Sequence, residues 1–182
     1  PKDEPKAIFI SAFDSSPLAP DFNFIVEGQQ KEFQTGLNAL AKLTSGKVHL
    51  NLKSGDNSSV FTQASNVQVN QFSGPHPAGN VGIQINKLDP MNKGEVVWTL
   101  GVQEVLTIGR LFEEGKFIAD RILALTGSEV QKPVYYKTLI GACINPMVDG
   151  NVSDADKRYI SGNVLTGDTI DAFGYVGYYH NQ

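Results

Sequence analysis

The chain has 182 residues, of which 41% are hydrophobic and 19% charged, with a net charge of −4. That is enough for one large or two small globular domains, and the acidic balance argues against nucleic-acid binding. No apolar run approaches the ~20 residues that span a bilayer, and Cys143 is the single cysteine, which excludes an internal disulfide and a four-thiolate iron–sulfur cluster.

Pro1 to Lys6 is polar, carries two prolines and reads as a frayed start. Ala7 to Phe13 is a continuous apolar run closed by Asp14-Ser15-Ser16-Pro17, the pattern of a strand buried on both faces. The loop after the carboxyl end of such a strand is a favoured ligand position in α/β sheets, and Asp14 and Ser15 lie there. Pro20 to Ile25 reads as irregular or short strand. From Glu27 to Thr44, Phe33, Leu37, Leu40 and Leu43 recur at helical spacing, and Gly46 is placed to end the helix at C′.

Lys47 to Lys53 alternates as a half-buried strand with His49 on its polar, solvated face. A turn at Ser54 to Ser59 leads to a short helix through Val60, Phe61 and Ala64, capped by Ser58 or Ser59. Asn66 to Phe72 is the next strand. The order strand, helix, strand, short helix, strand implies βαβ units and a small layered α/β domain.

The stretch Gly74-Pro75-His76-Pro77-Ala78-Gly79-Asn80-Val81-Gly82 then holds three glycines and two prolines in nine residues. Glycine opens backbone angles closed to other residues, while each proline fixes φ and removes a donor. A constrained loop therefore carries the imidazole of His76, with Ser73 and Asn80 as its other polar side chains. Such restriction fits backbone that closely approaches a ligand or another piece of protein, or a corner between two sheet elements.

Beyond the loop, Val81 to Asn86 alternates as a strand and Glu95 to Leu100 is another. Gly101 to Gly115 is a second amphipathic helix ended by Gly115, and Trp98 reads as a core anchor or packed interface residue. From Lys116 the texture changes. Ile118 to Gly127 and Val134 to Ile140 form a hairpin, Gly141 to Met147 holds a short helix interrupted at Pro146, and Tyr159 to Leu165 and Asp171 to Tyr179 are further short strands. Cys143, among apolar neighbours, reads as a buried inert thiol. The chain thus divides at 1–115 and 116–182, a layered α/β domain and a β-grasp-like module, and its end without a terminal signal suggests an excised fragment.

The run Phe72 to Gly82 resembles the loop of the A-subunit (NqrA) family of sodium-translocating NADH:quinone reductases. The stretches Leu37 to Thr44, Val97-Trp98-Thr99 with the helix to Gly115, Asp120 to Gly127, Ile160 to Gly167 and Tyr179 to Gln182 agree in the same order. The resemblance implies a Rossmann-like layer related to the flavin-bearing subunit of respiratory complex I, followed by a soluble-ligand-binding β-grasp module, with the family's amino-terminal region and the part beyond Gln182 absent. It implies a parent complex that passes electrons from NADH through FAD, FMN, riboflavin and iron–sulfur centres to ubiquinone while exporting Na⁺. The family member would be peripheral, on the cytoplasmic face of the bacterial inner membrane, docked on the membrane subunits of the complex, the B-type one especially. Unlike the flavin-bearing relatives, this chain has no G-x-G-x-x-G and carries two prolines in its loop, so no flavin or cluster is expected here.

Two roles for the loop follow, subunit docking and contact with a quinone, and docking is the preferred one. For a quinone, His76 and backbone donors at Gly79 or Asn80, beside Gly74, would meet a carbonyl, with Phe72 or Trp98 as an apolar wall. The alternative is a free-standing ligand-binding or scaffold protein without a redox role. A hydrolase is disfavoured because Ser15-Ser16 and Ser58-Ser59 lack a nucleophile-elbow context. Asp14, Asp56, Asp89 and Asp149 sit beside turn residues, where Asp bonds local backbone, and no Na⁺ site or catalytic residue is assigned.

Overall fold

The computed structural model describes residues 3–182, so Pro1 and Lys2 of the expected frayed start lie outside the described residues. The chain forms two compact units, one reaching to Ser15 and resuming over Asp21–Ile118, the other of Ser16–Pro20 and Ala119–Gln182. Lys6 is not frayed: its N–H donates to the Val96 carbonyl and its ammonium pairs with Asp89 and Glu95 at 2.7 and 2.8 Å.

The first unit is built on a four-stranded parallel sheet in the order β3-β2-β1-β4. Its strands are β1 (Ala7–Ser11), β2 (Lys47–Lys53), β3 (Gln68–Phe72) and β4 (Val97–Gly101). The helices are α1 (Phe22–Val26), α2 (Gln30–Leu40), α3 (Ser59–Thr62), α4 (Val81–Leu88) and α5 (Val102–Glu114). Ile8, Phe9 and Ile10 are fully buried, as a continuous apolar run at the centre of a covered parallel sheet requires.

Helices α2 and α5 pack closely through two glycines. A Cβ on Gly109 would sit 1.7 Å from the Glu32 carbonyl, and one on Gly36 would sit 2.2 Å from that of Val105. Gly115 ends α5 in the left-handed conformation at φ 68°, as expected of a C-terminal glycine. Gly46 does not play that part. Helix α2 ends at Leu40, and Gly46 instead lets the chain pass against the Lys6 carbonyl, 1.8 Å from where its Cβ would stand.

Two segments differ in type from expectation. Residues 22–26 are helical because the Asp21 carboxylate accepts from Asn23 N–H at 2.9 Å, an N-cap that buries Phe22, Ile25 and Val26. Val81 to Asn86 is the start of α4 instead of a strand. Val81 and Ile85 satisfy both periods, but Leu88 completes the helical spacing, and these three pack with Ala7, Phe9 and Val97. Joining two parallel strands across β1 also demands a crossover, which a strand at this point would not supply.

The second unit holds two hairpins, β5 (Asp120–Leu125) with β6 (Val134–Leu139), and β7 (Tyr159–Ser161) with β8 (Asp168–Ile170), plus a short helix α6 (Asn145–Val148) with Pro146 in its first turn. The strand expected at 171–179 is not formed. The Asp171 carboxylate accepts from Phe173 N–H at 2.7 Å and turns the chain, leaving an isolated bridge between Tyr175 and Cys143. Cys143 is half-buried, not buried, with its Sγ 3.4 Å from the Phe173 carbonyl.

Candidate functional site

Parallel pairing fixes which side chains share a face. Ser11 is opposite Asn51, and Asn51 is opposite Asn70, so a row of short polar side chains crosses the carboxyl end of the sheet on one face. Phe9 and His49 form the next row inward on that face, which α4 covers through Ile85. The order of the strands makes β1 the point where the chain switches sides, and crevices at the carboxyl ends of strands at such a point are the favoured ligand positions of α/β sheets.

Gln84 of α4 is fully buried and completes the polar row. Its amide donates to Ser11 Oγ at 3.1 Å and to the Gly79 carbonyl at 3.3 Å, while its Oε1 accepts from Asn51 Nδ2 at 2.9 Å. Asn70 Nδ2 donates to Asn51 Oδ1 at 2.9 Å and lies 3.2 Å from His49 Nδ1. His49 is therefore not solvated. It is 4% exposed and stacks on Phe9 with ring centroids 4.6 Å apart and planes 9° off parallel. Desolvation, and after it the charge of Lys47, lowers its pKa and favours the neutral ring.

The loop 73–80 lies over this row and is keyed to the turn after β1. Gly79 is buried, and a Cβ there would meet Ser15 N at 2.4 Å and the Phe13 carbonyl at 2.8 Å. Gly79 N–H donates to Ser15 Oγ at 2.8 Å, and Ser15 Oγ lies 3.1 Å from His76 Nδ1. With the glycine N–H donating into the hydroxyl oxygen, the serine proton is directed at Nδ1, and the proton of the neutral imidazole then resides on Nε2. Half-buried His76 presents that Nε2–H with no hydrogen-bond partner among the described residues. The His76-Pro77 bond is cis.

Of the residues expected to face a ligand, the structure gathers Phe72, Gly74, His76, Gly79 and Asn80 at this end of the sheet. Phe72 ends β3 on the face of Asn70. The amides expected to meet a carbonyl are already used: Gly79 N–H by Ser15, and Asn80 N–H by the Pro77 carbonyl at 2.8 Å. Trp98 is half-buried opposite Ile8, on the face away from Phe9 and α4 and at the far end of β4 from the loop, so it forms no wall there. Ser11, Asn51, Asn70 and Gln84 carry no motif in the sequence. The one available signal is the excess of Asn and Gln in the strand positions Asn51, Gln68, Asn70 and Gln71, where strands are depleted in Asn.

The loop does not fit a flavin or dinucleotide phosphate. Pro75 and Pro77 have no N–H, Ala78 N–H donates to the Pro75 carbonyl at 2.9 Å, and the Gly79 and Asn80 donors are turned inward. A phosphate cradle needs those amides converging outward. Among the described residues no group of three His, Cys, Asp or Glu is placed to hold a metal ion, and no helix is long and apolar enough to cross a membrane.

Comparison with known proteins agrees with this geometry. Residues 1–117 match the family model described as the NqrA second alpha/beta domain, and residues 122–172 match the NQRA C-terminal domain, of SLBB type. The chain is 43% identical over 185 aligned residues to the A subunit of the Na(+)-translocating NADH-quinone reductase of Yersinia pestis bv. Antiqua (strain Angola), covering all of this chain and 41% of that protein. It is 41% identical over 180 residues to the same subunit of Neisseria meningitidis serogroup B (strain ATCC BAA-335 / MC58), covering 98% of this chain and 40% of that one. The chain thus spans about two fifths of the length of these curated relatives. A solved NAD+-reducing [NiFe]-hydrogenase chain, in the air-oxidized state, shares the fold with TM-score 0.69 at 12% identity, over all of this chain and 39% of that chain. Two family models that together take in most of the sequence, and relatives above 40% identity along its whole length, make this chain a member of the A-subunit family of the Na(+)-translocating NADH-quinone reductase.

Proposed function

We propose that these 182 residues are the part of the A-type subunit that docks, through the loop carrying His76, onto the other subunits of a sodium-pumping NADH:ubiquinone reductase, with the B-type membrane subunit as the first partner to test. On this reading the chain is a peripheral piece on the cytoplasmic face, holds no flavin or iron–sulfur cluster of its own, and has no turnover alone. The observation that carries it is the manner in which the loop is held. Its inner donors are spent on Ser15 and on itself, so it is a rigid projection with one directed donor, the His76 Nε2–H. A preorganised projection loses little freedom on association, which suits a docking element.

The test is assembly. His76→Ala in the full-length protein, expressed with its partners, is expected to weaken co-purification with the B-type membrane subunit while leaving the isolated protein folded. Unchanged assembly and turnover would sink the docking role.

Contact with ubiquinone is the second reading, and His76 also favours it: a lone Nε2–H donor beside the Phe72 ring is suited to a quinone carbonyl. Photoaffinity labelling with a ubiquinone analogue separates the two. Labelling of residues 72–80 that is lost in His76→Ala supports quinone contact; labelling elsewhere in the complex with none in the loop rejects it.

A further inference from the structure

The second unit contains a hollow of about 570 Å³ whose inner wall is apolar, formed by Leu123, Met147, Val148 and Val176, with Thr126 and Gln182 at its margin. All its lining residues belong to that unit. The volume falls in the range of small-molecule pockets, ~300–1,000 Å³, so size alone does not name the occupant. The edge of β5 does.

Strand β5 pairs with β6 on one side only. Ile140 N–H donates to the Ala119 carbonyl, so Ala119 and Ile140 are a hydrogen-bonded pair. Counting along the antiparallel register, the pair Ala124 and Tyr135 is then non-hydrogen-bonded, and both backbone groups of Ala124 point away from β6. The structure agrees: Ala124 N–H donates to the Asn181 carbonyl at 2.9 Å on that open side. The Ala124 carbonyl, on a residue 5% exposed, has no partner among the described residues, and neither has Thr126 N–H, the next backbone group directed to the same side. Buried carbonyls are rarely left unpaired in native proteins. Unmatched acceptor and donor groups at the two-residue repeat of a strand, over an apolar floor, are complementary to another strand and not to a compact ligand.

We infer that this hollow is the seat of one more β-strand, supplied by the same polypeptide from outside these 182 residues, lying parallel to β5 and bonding the Ala124 carbonyl and Thr126 N–H. Asn181 sets the orientation. It accepts from Ala124 N–H while the Ala124 carbonyl stays open, which is the slanted pattern of parallel pairing. In that pattern the Ala124 carbonyl is met by a residue further along in the direction in which Asn181 and Gln182 already run. Length supplies the source, since the curated relatives are more than twice as long as this chain. The strand would bury its alternate side chains on Leu123, Met147 and Val176.

Amide hydrogen exchange in the full-length protein and in the 182-residue chain tests this. The Thr126 amide is expected to exchange on the order of a hundredfold more slowly in the full-length protein. Thr126→Pro, which removes only this donor and no bond to β6, should lower the melting temperature of the full-length protein and leave that of the 182-residue chain unchanged. Equal exchange rates in the two proteins, fast or slow, would overturn the proposal. So would a stoichiometric small molecule released from the full-length protein and displaced by Val130→Trp at the wall of the hollow, since the space would then belong to a ligand.

Discussion

Ser15 Oγ stands 3.1 Å from His76 Nδ1 and also takes the Gly79 N–H at 2.8 Å, so one hydroxyl ties the imidazole and the loop backbone to the turn after β1. The second unit repeats the device. Ser161 Oγ lies 2.7 Å from His180 Nδ1 and accepts the Gly177 N–H at 2.9 Å. In both, a glycine amide fills the serine acceptor and the hydroxyl proton is directed at Nδ1. The difference lies in what surrounds the ring. His180 is packed against Gly162 and Gly177, which leave no room for a Cβ, whereas His76 offers Nε2 outward.

Ser15→Ala removes the tie. The expected loss is about 1 kcal/mol of stability, with faster exchange of the Gly79 amide and a shift of the His76 imidazole toward mixed tautomers in nitrogen NMR spectra. A Gly79 amide that stays equally protected would show that the loop is held by something else.

Gln84→Ala strands the Asn51 amide and the Ser11 hydroxyl in a buried site. The expected cost is ~1–3 kcal/mol for the unsatisfied donors, in addition to the cavity, measured by urea denaturation. Gln84→Glu retains the shape and the acceptor for Asn51 but replaces the amide that bonds the Gly79 carbonyl. It is expected to be destabilising as well, more so as pH rises above the carboxylate range.

Gly109→Ala tests the α2–α5 crossing. The new methyl would overlap the Glu32 carbonyl, a backbone atom that can move only if the helices separate. Overpacking of this kind costs about 1–3 kcal/mol or more, against the few tenths to ~1 kcal/mol that alanine otherwise gains in a helix. An unchanged or raised melting temperature would contradict the close packing.

The pH dependence follows from His49. Its pKa is lowered in the folded protein, so the unfolded chain takes up a proton at higher pH than the native one does. Its stabilising contribution is complete above the unfolded value of 6.5 and is lost as pH falls from there through the lower native value. Stability measured between pH 7.5 and 5 should fall on the acid side, and His49→Gln should flatten that slope. A slope unchanged by the substitution would place the titration elsewhere. At still lower pH, Glu95 takes over: its pKa is lowered to about 2 by the Asn92 amide and then by Lys6, so its contribution is lost as pH drops from 4.5 toward that value.

The layered α/β architecture is legible in Ala7 to Phe13, Lys47 to Lys53 and the two amphipathic helices, because periodicity reports burial of one face or both. Val81 to Asn86 misleads because Val81, Ile83 and Ile85 alternate within six residues, too short a window to separate a period of 2 from one of 3.6. His49 misleads for a different reason. Alternation marks one face of a strand as polar, but in a parallel sheet covered on both sides the polar face is buried as well, and its side chains must then bond one another.

By itself, the amino-acid order determined the element types at the long apolar segments, the place and stiffness of the Gly-Pro loop, and the absence of thiolates for a cluster, because these depend on local backbone chemistry and on composition. Tertiary structure decided that Ser15 meets His76 across 61 positions and that Gln84 meets Ser11 across 73. It also left β5 with an open edge. Such contacts are set by which strands pair and which helix crosses the sheet, and no local pattern in the chain encodes a partner that distant.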